Sequence, residues 1–379
     1  MSPESASRLR DRIGALRRRL DDAGLSGLLV THLPNVFYLT GFSGTAGAVL
    51  VTRDLVRLIV DSRYATAARG AVDAAPDGLI TVVDVESSYE ATYRDLLQPR
   101  GGRVGIEAAH LSVAQFEWLQ LALAERGPEL ASTRDLVEVG RVVKDDDELE
   151  ILTEAGGRIS AVMDAQIDRL RPGLSELEVA ANIDHAIRGA GFERPAFDTI
   201  VASGPQTALP HARPGSRVLG DGDLVLLDFG GVLRGYCVDL TRVASLGASS
   251  DDARVWHGAV RAAHQAAVEA VRVGTTTTAV DQAARSTLES AGLGEAFGHG
   301  TGHGLGIEVH EAPRVGRRRV PEGRPDPEDV PLELGMVFTV EPGAYLPGRG
   351  GVRLEDDVVV TSDGHRLLTD VSLDLREVG

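Results

Sequence analysis

The sequence predicts an α+β protein in which helices back a curved antiparallel sheet, preceded by a smaller α/β domain. Two observations predict this division. The first part of the chain alternates short helical and strand patterns, whereas the second part has long helical patterns with strands between and after them. The length of 379 residues is sufficient for two domains, each with its own core. We therefore place the domains at residues 1–140 and 141–379.

In the first domain, the pattern of residues 4–23 predicts an amphipathic helix. Apolar runs then predict four strands, and a second helical pattern follows the third of them. These elements are strands at 27–31, 47–51, 55–60 and 79–85, and a helix at 64–72. Such alternation is typical of an α/β domain.

Four helices are predicted in the second domain. The acidic run Asp145-Asp146-Asp147 marks the start of the first, because acids stabilise the N-terminal end of a helix. Pro172-Gly173 ends it. The helical patterns cover 148–170, 175–189, 252–273 and 277–291. The strands between and after them carry the acidic residues that indicate a function.

The composition excludes several classes of protein. A hydrophobic content of 43% and a charged content of 25% are those of a soluble globular protein. No apolar run approaches the ~20 residues of a membrane span, and the N-terminal stretch lacks the apolar core of a secretory signal. A net charge of −17 argues against nucleic-acid binding, which needs clustered cations. The single cysteine, Cys237, excludes an intrachain disulfide and favours a reducing compartment, so we predict a cytoplasmic location.

Two acids are predicted on neighbouring strands of one hairpin, at 222–230 and 236–242. With the chain reversal centred on Leu233 and Arg234, Asp228 directly faces Asp239. Opposed residues have Cβ atoms about 4.5–5.5 Å apart, where two like charges need a cation between them. The alternative is a solvated hairpin end. Apolar neighbours make the hairpin look buried, and buried carboxylates need metals, partners or protons.

Glycine takes every second position from Gly298 to Gly306. In an extended chain one face would carry no side chains, while the other would carry His299 and His303. A bare face lets another backbone or a ligand come close. The alternative is a polar surface loop, but such a loop does not need five glycines in this alternation.

Two further acids lie at the ends of apolar runs or within them. Glu341 ends a strand before a Pro-Gly turn, and Glu355 lies in a strand at 351–360 whose alternation puts Arg353 on the same face. With the hairpin acids and one histidine they form an oxygen-rich set of charge −4, which two divalent cations would balance. Mn²⁺ or Mg²⁺ suits such ligands. A two-metal hydrolase is the first hypothesis, with the ligands Asp228, Asp239, His303, Glu341 and Glu355.

Six ordered motifs within residues 145–375 carry a family resemblance: Leu227-Asp228-Phe229-Gly230, Asp239-Leu240-Thr241-Arg242, Gly302-His303-Gly304-Leu305-Gly306, His310-Glu311-Ala312-Pro313, Val340-Glu341-Pro342-Gly343 and Arg353-Leu354-Glu355-Asp356. Their order and spacing resemble the pita-bread metallopeptidases, which include methionine aminopeptidase, prolidase and aminopeptidase P. Residues 35–44 and 60–64 resemble the N-terminal domain of the proline-specific branch and of creatinase. The positions of His299, Tyr345 and Arg353 are also similar to that Xaa-Pro branch.

The resemblance implies a pita-bread fold and hydrolysis of the Xaa-Pro bond at the N-terminus of peptides or in dipeptides, with a metal-bridging hydroxide as nucleophile. It implies two divalent ions, with Mn²⁺ favoured and Co²⁺, Zn²⁺ or Mg²⁺ as alternatives. Asp228 would hold one ion, Asp239 and Glu355 would bridge both, and His303 with Glu341 would complete the second.

Roles for the remaining site residues also follow from the resemblance. Glu341 would take the proton of the nucleophile and pass it to the leaving nitrogen. His310 and Tyr345 would stabilise the oxyanion or the scissile carbonyl. We assign catalytic roles to Glu341, His211 and His310, and substrate-binding roles to His299, Tyr345 and Arg353.

Several alternatives stay open at this level. A strict dipeptidase needs a cation for the substrate C-terminal carboxylate, and the candidates are Arg353, Arg213, Arg314 and residues 317–324. Arg353 could instead only order nearby acids, which would leave the pocket open to longer peptides. Two other functions remain possible: a metal-independent hydrolase similar to creatinase, and a catalytically silent binding domain.

The resemblance also implies a homodimer. Cys237 is predicted to be a packed thiol, with a nucleophilic role as the alternative, and residues 316–331 are predicted to form an exposed loop.

Overall fold

The computed structural model describes residues 3–73, 78–317 and 329–379 of the protein. The chain divides into two units, Met1–Arg141 and Val142–Gly379. Most of the predicted loop at 316–331 lies outside the described residues. In the described part of the chain, no helix combines the length and apolar character that crossing a bilayer requires. The cytoplasmic location stays a prediction.

The first unit is built on a six-stranded mixed sheet. Its strands are β1 Gly27–Val30, β2 Ala48–Thr52, β3 Val56–Val60, β4 Thr81–Asp84, β5 Arg103–Glu107 and β6 Glu129–Thr133, in the order β4-β3-β2-β1-β5-β6. The β1-β2 and β2-β3 pairs are antiparallel, and the other pairs are parallel. The central strands β1 and β2 are buried along their whole length, as expected for apolar runs in a sheet covered on both faces.

The helices of this unit are α1 Pro3–Asp22, α2 Leu33–Thr40, α3 Ala65–Asp73, α4 Tyr89–Leu97, α5 Val113–Leu123 and the short α6 Val139–Val142. Leu29, Leu50, Val104, Leu97 and Leu119 belong to one buried cluster, so α4 and α5 share a core with the sheet. The predicted helices and strands of this unit are confirmed to within two residues at each end.

Four helices of the second unit begin at polar residues that cap them. They are α7 Asp146–Ile167, α8 Glu176–Gly189, α9 Asp251–Ala270 and α10 Thr277–Ser290. Asp145 and Ser175 form capping boxes with Glu148 and Glu178, which satisfy backbone N–H groups that the first helical turn leaves unpaired. All four predicted helices are confirmed, although α7 and α9 end three residues before their predicted ends.

The strands of the second unit are β7 Arg194–Pro195, β8 Ile200–Ser203, β9 Leu224–Leu233, β10 Tyr236–Leu246, β11 Gly302–Gly304, β12 Glu311–Val315, β13 Val337–Val340, β14 Gly343–Leu346, β15 Gly350–Arg353, β16 Asp356–Thr361, β17 Gly364–Leu367 and β18 Arg376–Val378. One sheet has the order β18-β10-β9-β7, with β8 also paired to β9, a second has the order β12-β11-β13-β16-β17, and β14 pairs with β15. Apart from the parallel β10-β18 pair, these pairings are antiparallel.

Helices α9 and α10 pack against this β-structure. Val260 of α9 and Ala284 of α10 lie in one buried cluster with Phe338, Val352 and Val358 of the strands. Complete burial of a side chain such as Phe338 contributes about 1.5–3 kcal/mol. The α+β class with helices behind an antiparallel sheet is therefore confirmed, with the strands distributed over three sheets.

Two local predictions were wrong. Asp228 was predicted to face Asp239, but it faces Thr241. Asp239 faces Gly230. The hairpin turns at Arg234 and Gly235, whose φ angles of 49° and 82° are those of a two-residue turn with both central residues left-handed. The reversal lies one residue later than predicted. Each partner therefore shifts by two positions, and both acids stay on the same face as diagonal neighbours.

The second wrong prediction is the single strand at 351–360. The chain leaves β15 after Arg353 and enters β16 at Asp356, in a different sheet. Glu355 lies at the junction, where it forms an isolated bridge with Thr241. Alternation along one strand therefore does not relate Arg353 to Glu355. The strand-like pattern of residues 351–360 does not reveal this change of sheet.

Candidate active site

A cavity of about 920 Å³ opens in the second unit, lined by residues from both large sheets and from the β14-β15 hairpin. The structure brings to it every site residue predicted from the sequence: His211, Asp228, Asp239, His299, His303, His310, Glu341, Tyr345, Arg353 and Glu355. Their convergence from positions more than 100 residues apart makes this cavity the candidate active site.

The buried hairpin β9-β10 supplies the first two acids. Asp228 and Asp239 are only 6% and 5% exposed. The backbone N–H of Asp239 donates to Asp357 Oδ2 at 3.0 Å, which fixes the strand that carries it. Because every residue of both strands is buried, these carboxylates are held inside the protein by a rigid, fully paired hairpin.

The glycine-rich segment supplies His303 from β11, between β12 and β13. A Cβ atom at Gly302 would lie 1.8 Å from Thr339 O, and one at Gly304 would lie 2.2 Å from Ala312 O. Only glycine permits these approaches, so the predicted role of a bare face is confirmed at these two positions. The strand is limited to Gly302–Gly304, shorter than the predicted extended segment.

A buried ion pair on α10 orders this segment. Asp281 and Arg285 form a two-bond pair of 2.8 and 2.9 Å, one helical turn apart. Arg285 donates to Phe297 O and His299 O at 3.1 and 2.9 Å, and Asp281 Oδ1 accepts from the backbone and hydroxyl of Thr301 at 3.1 and 2.8 Å. Sequence reasoning missed this pair, although an Asp-Arg spacing of four on a helix was a usable signal.

Glu341 and Glu355 complete the acidic wall. Glu341 directly follows β13, and its N–H donates to Thr301 O at 2.7 Å. Thr241 donates its hydroxyl to Glu355 Oε2 at 2.6 Å. Thr241 is a second residue that the sequence reasoning missed, and its isolated bridge with Glu355 explains why its hydroxyl reaches that carboxylate.

Three possible ligands lie closest together. Donor atoms of Asp239, His303 and Glu355 all lie within 4.8 Å of one another. His303 Nε2 is 3.9 Å from Asp239 Oδ2 and 3.8 Å from Glu341 Oε1. Asp228 lies on the same cavity wall but forms an ion pair with Arg353. Four of the five predicted ligands are therefore connected by short distances, and the fifth is held by a cation of the chain.

Burial and mutual repulsion change the proton affinities of these acids. Burial, followed by the charges of Asp228 and Asp357, raises the pKa of Asp239 well above its usual range. Burial and then the charge of Asp239 do the same to the pKa of Glu355. Burial also raises the pKa of Glu341 to about 7. The charge of Arg353 lowers these pKa values, but burial outweighs it, so the charged carboxylates are only partly compensated in this part of the cavity.

His303 is arranged as a neutral nitrogen ligand. Burial lowers its pKa to about 4. Its Nδ1 lies 3.1 Å from Gly304 O, and because a carbonyl only accepts, Nδ1 carries the proton. Its Nε2 is then unprotonated, and the lone pair of this atom is available to a metal ion near Asp239 and Glu341.

The residues present therefore fit divalent cations. Asp239 Oδ1 is buried, and none of the described residues offers it a hydrogen bond. Four carboxylates and one neutral imidazole form a hard ligand set of the kind that binds Mn²⁺ or Mg²⁺ and tolerates Zn²⁺ or Co²⁺. A cation would remove the repulsion that raises the acid pKa values.

A hydrogen-bond chain lines another part of the cavity. Arg353 Nη1 donates to the Tyr345 hydroxyl at 2.7 Å, and that hydroxyl lies 3.0 Å from His299 Nε2. His299 Nδ1 donates to Gly300 O at 2.8 Å, so Nε2 accepts the proton of Tyr345. Burial lowers the pKa of His299 to about 4, which keeps this tautomer neutral. The chain fixes the directions of three predicted substrate-binding residues.

Other charged residues near the cavity are distinguished by their partners. The carboxylate of Glu311 accepts from the buried Lys144 Nζ at 2.7 Å. Arg314 lines the cavity, is exposed and forms no ion pair among the residues with described positions. Arg213 is exposed and does not line the cavity, and Arg317 lies 3.9 Å from Glu289. The candidates at 318–324 lie outside the described residues.

Cys237 is buried between the strands rather than exposed in the cavity. Its Sγ lies 3.6 Å from Ile307 O, and burial raises its pKa to about 12. A thiol with that pKa is almost entirely protonated at neutral pH and is a poor nucleophile. The structure supports the predicted packed thiol.

Comparisons with known proteins agree over nearly the whole length. The family model described as metallopeptidase family M24 matches residues 150–362, and that of the creatinase/prolidase N-terminal domain matches residues 12–143. The Xaa-Pro dipeptidase of Pyrococcus horikoshii is 32% identical over 94% of this chain and 96% of its own. The structure of the Xaa-Pro dipeptidase from Bacillus anthracis has a TM-score of 0.90 at 34% identity, covering 98% of this chain and 100% of that one. The structure of the X-Pro aminopeptidase from Thermotoga maritima has a TM-score of 0.85 at 31% identity, covering 97% and 99%.

Proposed function

Because the chain belongs to metallopeptidase family M24 and carries a creatinase/prolidase N-terminal domain, we propose that it hydrolyses the Xaa-Pro bond of dipeptides and of longer peptides, using two divalent cations. The observation that carries this proposal is the convergence of Asp239, His303 and Glu355 donor atoms within 4.8 Å in the cavity. Relatives named Xaa-Pro dipeptidase and X-Pro aminopeptidase support the substrate class.

The cations are proposed to bind to Asp228, Asp239, His303, Glu341 and Glu355, with Mn²⁺ as the favoured ion. When bound, such cations acidify a water toward neutral pH and polarise the scissile carbonyl. Asp228 would then be shared between a cation and Arg353. Arg353 would keep its other contacts, because it also donates to the Tyr345 hydroxyl and to Pro210 O. The chain thus keeps the cation of Arg353 beside Asp228.

Glu341 is proposed to carry the proton from the attacking water to the proline nitrogen. It is a carboxylate at the cavity wall, 3.8 Å from His303 Nε2, and thus within reach of any group held there. Proton delivery matters for this substrate class because a tertiary amide nitrogen carries no proton of its own. His211 and His310 line the same cavity and are proposed to contact the substrate around the scissile bond.

His299 and Tyr345 are proposed to border the pocket for the proline ring. Their rings lie 5.5 Å apart, next to Phe297, whose ring lies 5.1 Å from that of His299. Because the polar atoms of His299 and Tyr345 are used in the hydrogen-bond chain, these rings offer flat surfaces to a compact apolar ring.

A strict dipeptidase is the second candidate, and Arg314 favours it. Arg353 is already paired with Asp228, whereas Arg314 lines the cavity and forms no ion pair among the described residues. A guanidinium that faces the cavity can receive the C-terminal carboxylate of a dipeptide. Arg314→Gln is expected to raise KM for a dipeptide by about 10–100-fold, because a hydrogen bond to a charged group contributes about 1.5–3 kcal/mol. KM for a longer peptide should change little. Equal losses on both substrates would contradict this role.

The proposed function is tested with metal-stripped protein and two substrates, an Xaa-Pro dipeptide and an Xaa-Pro-Yaa peptide. Added Mn²⁺ should restore cleavage of both, and cleavage of the dipeptide alone would establish the second candidate. Full activity after metal removal would favour a metal-independent hydrolase similar to creatinase. No cleavage of either substrate under any condition would disprove the peptidase assignment.

The chain is also proposed to form a homodimer. The proposal rests on the creatinase/prolidase N-terminal domain, which matches residues 12–143. Light scattering of the purified protein measures the mass directly. A mass of 40.1 kDa, that of a single chain, would exclude the dimer.

A further inference from the structure

A second group of metal-ligand side chains lies in the first unit, separate in sequence from the cavity residues. It consists of His32, which precedes α2, His110 in the segment between β5 and α5, and Glu138, which precedes α6. Donor atoms of the three residues all lie within 4.8 Å of one another. Glu138 Oε1 is 4.0 Å from His32 Nδ1 and 4.0 Å from His110 Nε2. Two imidazoles therefore face one carboxylate oxygen.

The two imidazole rings are parallel and close. Their centroids lie 3.5 Å apart with an interplanar angle of 6°. Each side chain is partly accessible, with exposed fractions of 15% for His32, 32% for His110 and 27% for Glu138. The donor atom Nδ1 of His32 is itself buried, so an ion would enter past the more exposed His110 and Glu138. Binding would require the stacked rings to tilt so that both nitrogen lone pairs point to one atom.

A buried hydrogen-bond network orients this group. Asn35 is fully buried, and its Nδ2 donates to Glu138 Oε1 at 2.6 Å and to Glu107 Oε1 at 2.7 Å. Glu107 Oε2 accepts from the backbone N–H of His32 at 2.7 Å. Arg141 Nη1 donates to Asn35 Oδ1 at 2.8 Å. Such outer partners fix the directions of ligands in metal sites.

From this geometry we infer that His32, His110 and Glu138 form a binding site for Zn²⁺. Two imidazoles and one carboxylate are a typical set for this ion, which prefers four-coordinate geometry and leaves the fourth position to water here. The nitrogen-rich set distinguishes this site from the oxygen-rich cavity, since hard ions such as Mn²⁺ and Mg²⁺ prefer carboxylates. A bound Zn²⁺ would connect the segments that precede α2, α5 and α6 and thereby stabilise the first unit.

The test uses the full-length chain with the cavity ligands disabled by Asp239→Asn and Glu355→Gln. Calorimetric titration of this variant with ZnCl₂ should give one bound equivalent, and Zn²⁺ should raise its Tm. Adding His110→Ala should weaken Zn²⁺ binding by at least about 100-fold. His110 is exposed, so the substitution leaves the fold intact. His185→Ala, which removes an exposed histidine of α8, is the matched control and should change nothing.

Glu138→Gln provides the second measurement, because glutamine can still accept the hydrogen bond of Asn35 but is a poor ligand. Its unliganded Tm should match that of the parent, and its Zn²⁺ affinity should fall with that of His110→Ala. Co²⁺ bound in place of Zn²⁺ should give the visible absorption of a tetrahedral site. Two results would overturn the inference: no Zn²⁺ equivalent in the cavity-disabled variant, or unchanged binding after both substitutions. Neither result depends on peptidase activity, so failure here is distinguishable from failure of the proposed function.

Discussion

The buried acids Glu355 and Asp356 are adjacent in the chain, yet the protein treats them in opposite ways. Burial raises the pKa of Asp356, but the charge of Arg242 and the contacts of His264 and Thr369 outweigh burial and lower it below its ordinary value. Arg242 Nη2 donates to Asp356 Oδ1 at 2.8 Å, and His264 Nε2 lies 3.1 Å from Asp356 Oδ2. Among the described residues, Thr241 is the one side-chain hydrogen-bond donor to Glu355, and burial raises the pKa of Glu355.

This difference distinguishes an acid that the chain pairs internally from an acid that is proposed to bind a metal ion. Behind the cavity, the chain supplies Asp356 with the guanidinium of Arg242 and with the hydroxyl of Thr369. On the cavity side, Glu355 receives the hydroxyl of Thr241, and both Asp239 and Glu355 have other acids as neighbours. Asp239 and Glu355 line the cavity, where a metal ion could approach them, and the cost of their burial is the expected price of a binding site.

The strongest test of the comparison is Glu355→Gln. It should reduce kcat/KM on an Xaa-Pro dipeptide by at least about a thousandfold, equivalent to about 4 kcal/mol of transition-state stabilisation, because the substitution removes a proposed metal ligand. The metal-free variant should be at least as stable as the parent, since a raised-pKa acid is removed. Steady-state kinetics with Mn²⁺ and urea unfolding without metal measure the two effects. A large loss of metal-free stability would show that Glu355 is structural, like Asp356.

The converse substitution is Arg242→Met. Besides Asp356, the Arg242 guanidinium binds Glu355 O and Val371 O at 2.6 Å each, so its loss leaves a buried charge and several carbonyls without a donor. The free energy of unfolding should fall by about 3–5 kcal/mol in urea titrations. Arg254→Met is the control. It breaks the Arg254–Asp251 pair, whose members are 54% and 97% exposed, and should cost less than about 1 kcal/mol. Equal losses would remove the distinction between buried and exposed pairs.

A smaller effect is expected for the pH dependence of the free energy of unfolding, through the buried His257 of α9. Burial, and then the charge of Arg261, lowers the pKa of His257 to about 4. The unfolded chain binds this proton near the ordinary value of about 6.5, so stability is lost as pH falls from 6.5 toward 4. The full contribution is about 3 kcal/mol. His257→Gln should flatten that part of the stability curve measured by urea unfolding, and His185→Gln on the surface should not. Identical slopes in the parent and His257→Gln would contradict the burial argument.

The smallest effect is expected at Cys237, which lies two residues before Asp239 on the same face of β10. We assign it no role in metal binding or in pairing the buried acids. Cys237→Ala should leave kcat/KM within about twofold, because a thiol with a pKa of about 12 supplies no nucleophile at neutral pH. In the folded protein the thiol should also resist a thiol reagent until the protein unfolds. Loss of activity with normal metal content would give Cys237 a role that its burial does not indicate.

The sequence was sufficient to predict the α+β class, the four helices of the second unit and ten of the side chains that line the cavity, because each depends on local patterns or on motif order. It did not reveal α2, α4, α5 and α6 of the first unit. It was not sufficient for contacts that depend on exact geometry. The turn at Arg234 and Gly235 displaced the hairpin register by two positions, and the chain changed sheets between Arg353 and Glu355. The contact between Thr241 and Glu355 depends on these positions. Nothing in the run Glu355-Asp356-Asp357 shows which acid receives a cation from the chain.

The ion pair between Arg353 and Asp228 has a consequence for the order of assembly. In a zinc finger the unfolded chain collects its own metal, and folding waits for it. Here Arg353 already forms an ion pair with Asp228 of the cavity. The remaining acids of the cavity can be protonated while the hairpin and helices form. We therefore expect the polypeptide to mature in two stages, first the fold and then the cofactor. Selection among competing ions then takes place at a finished cavity, where size and coordination number decide which ion remains.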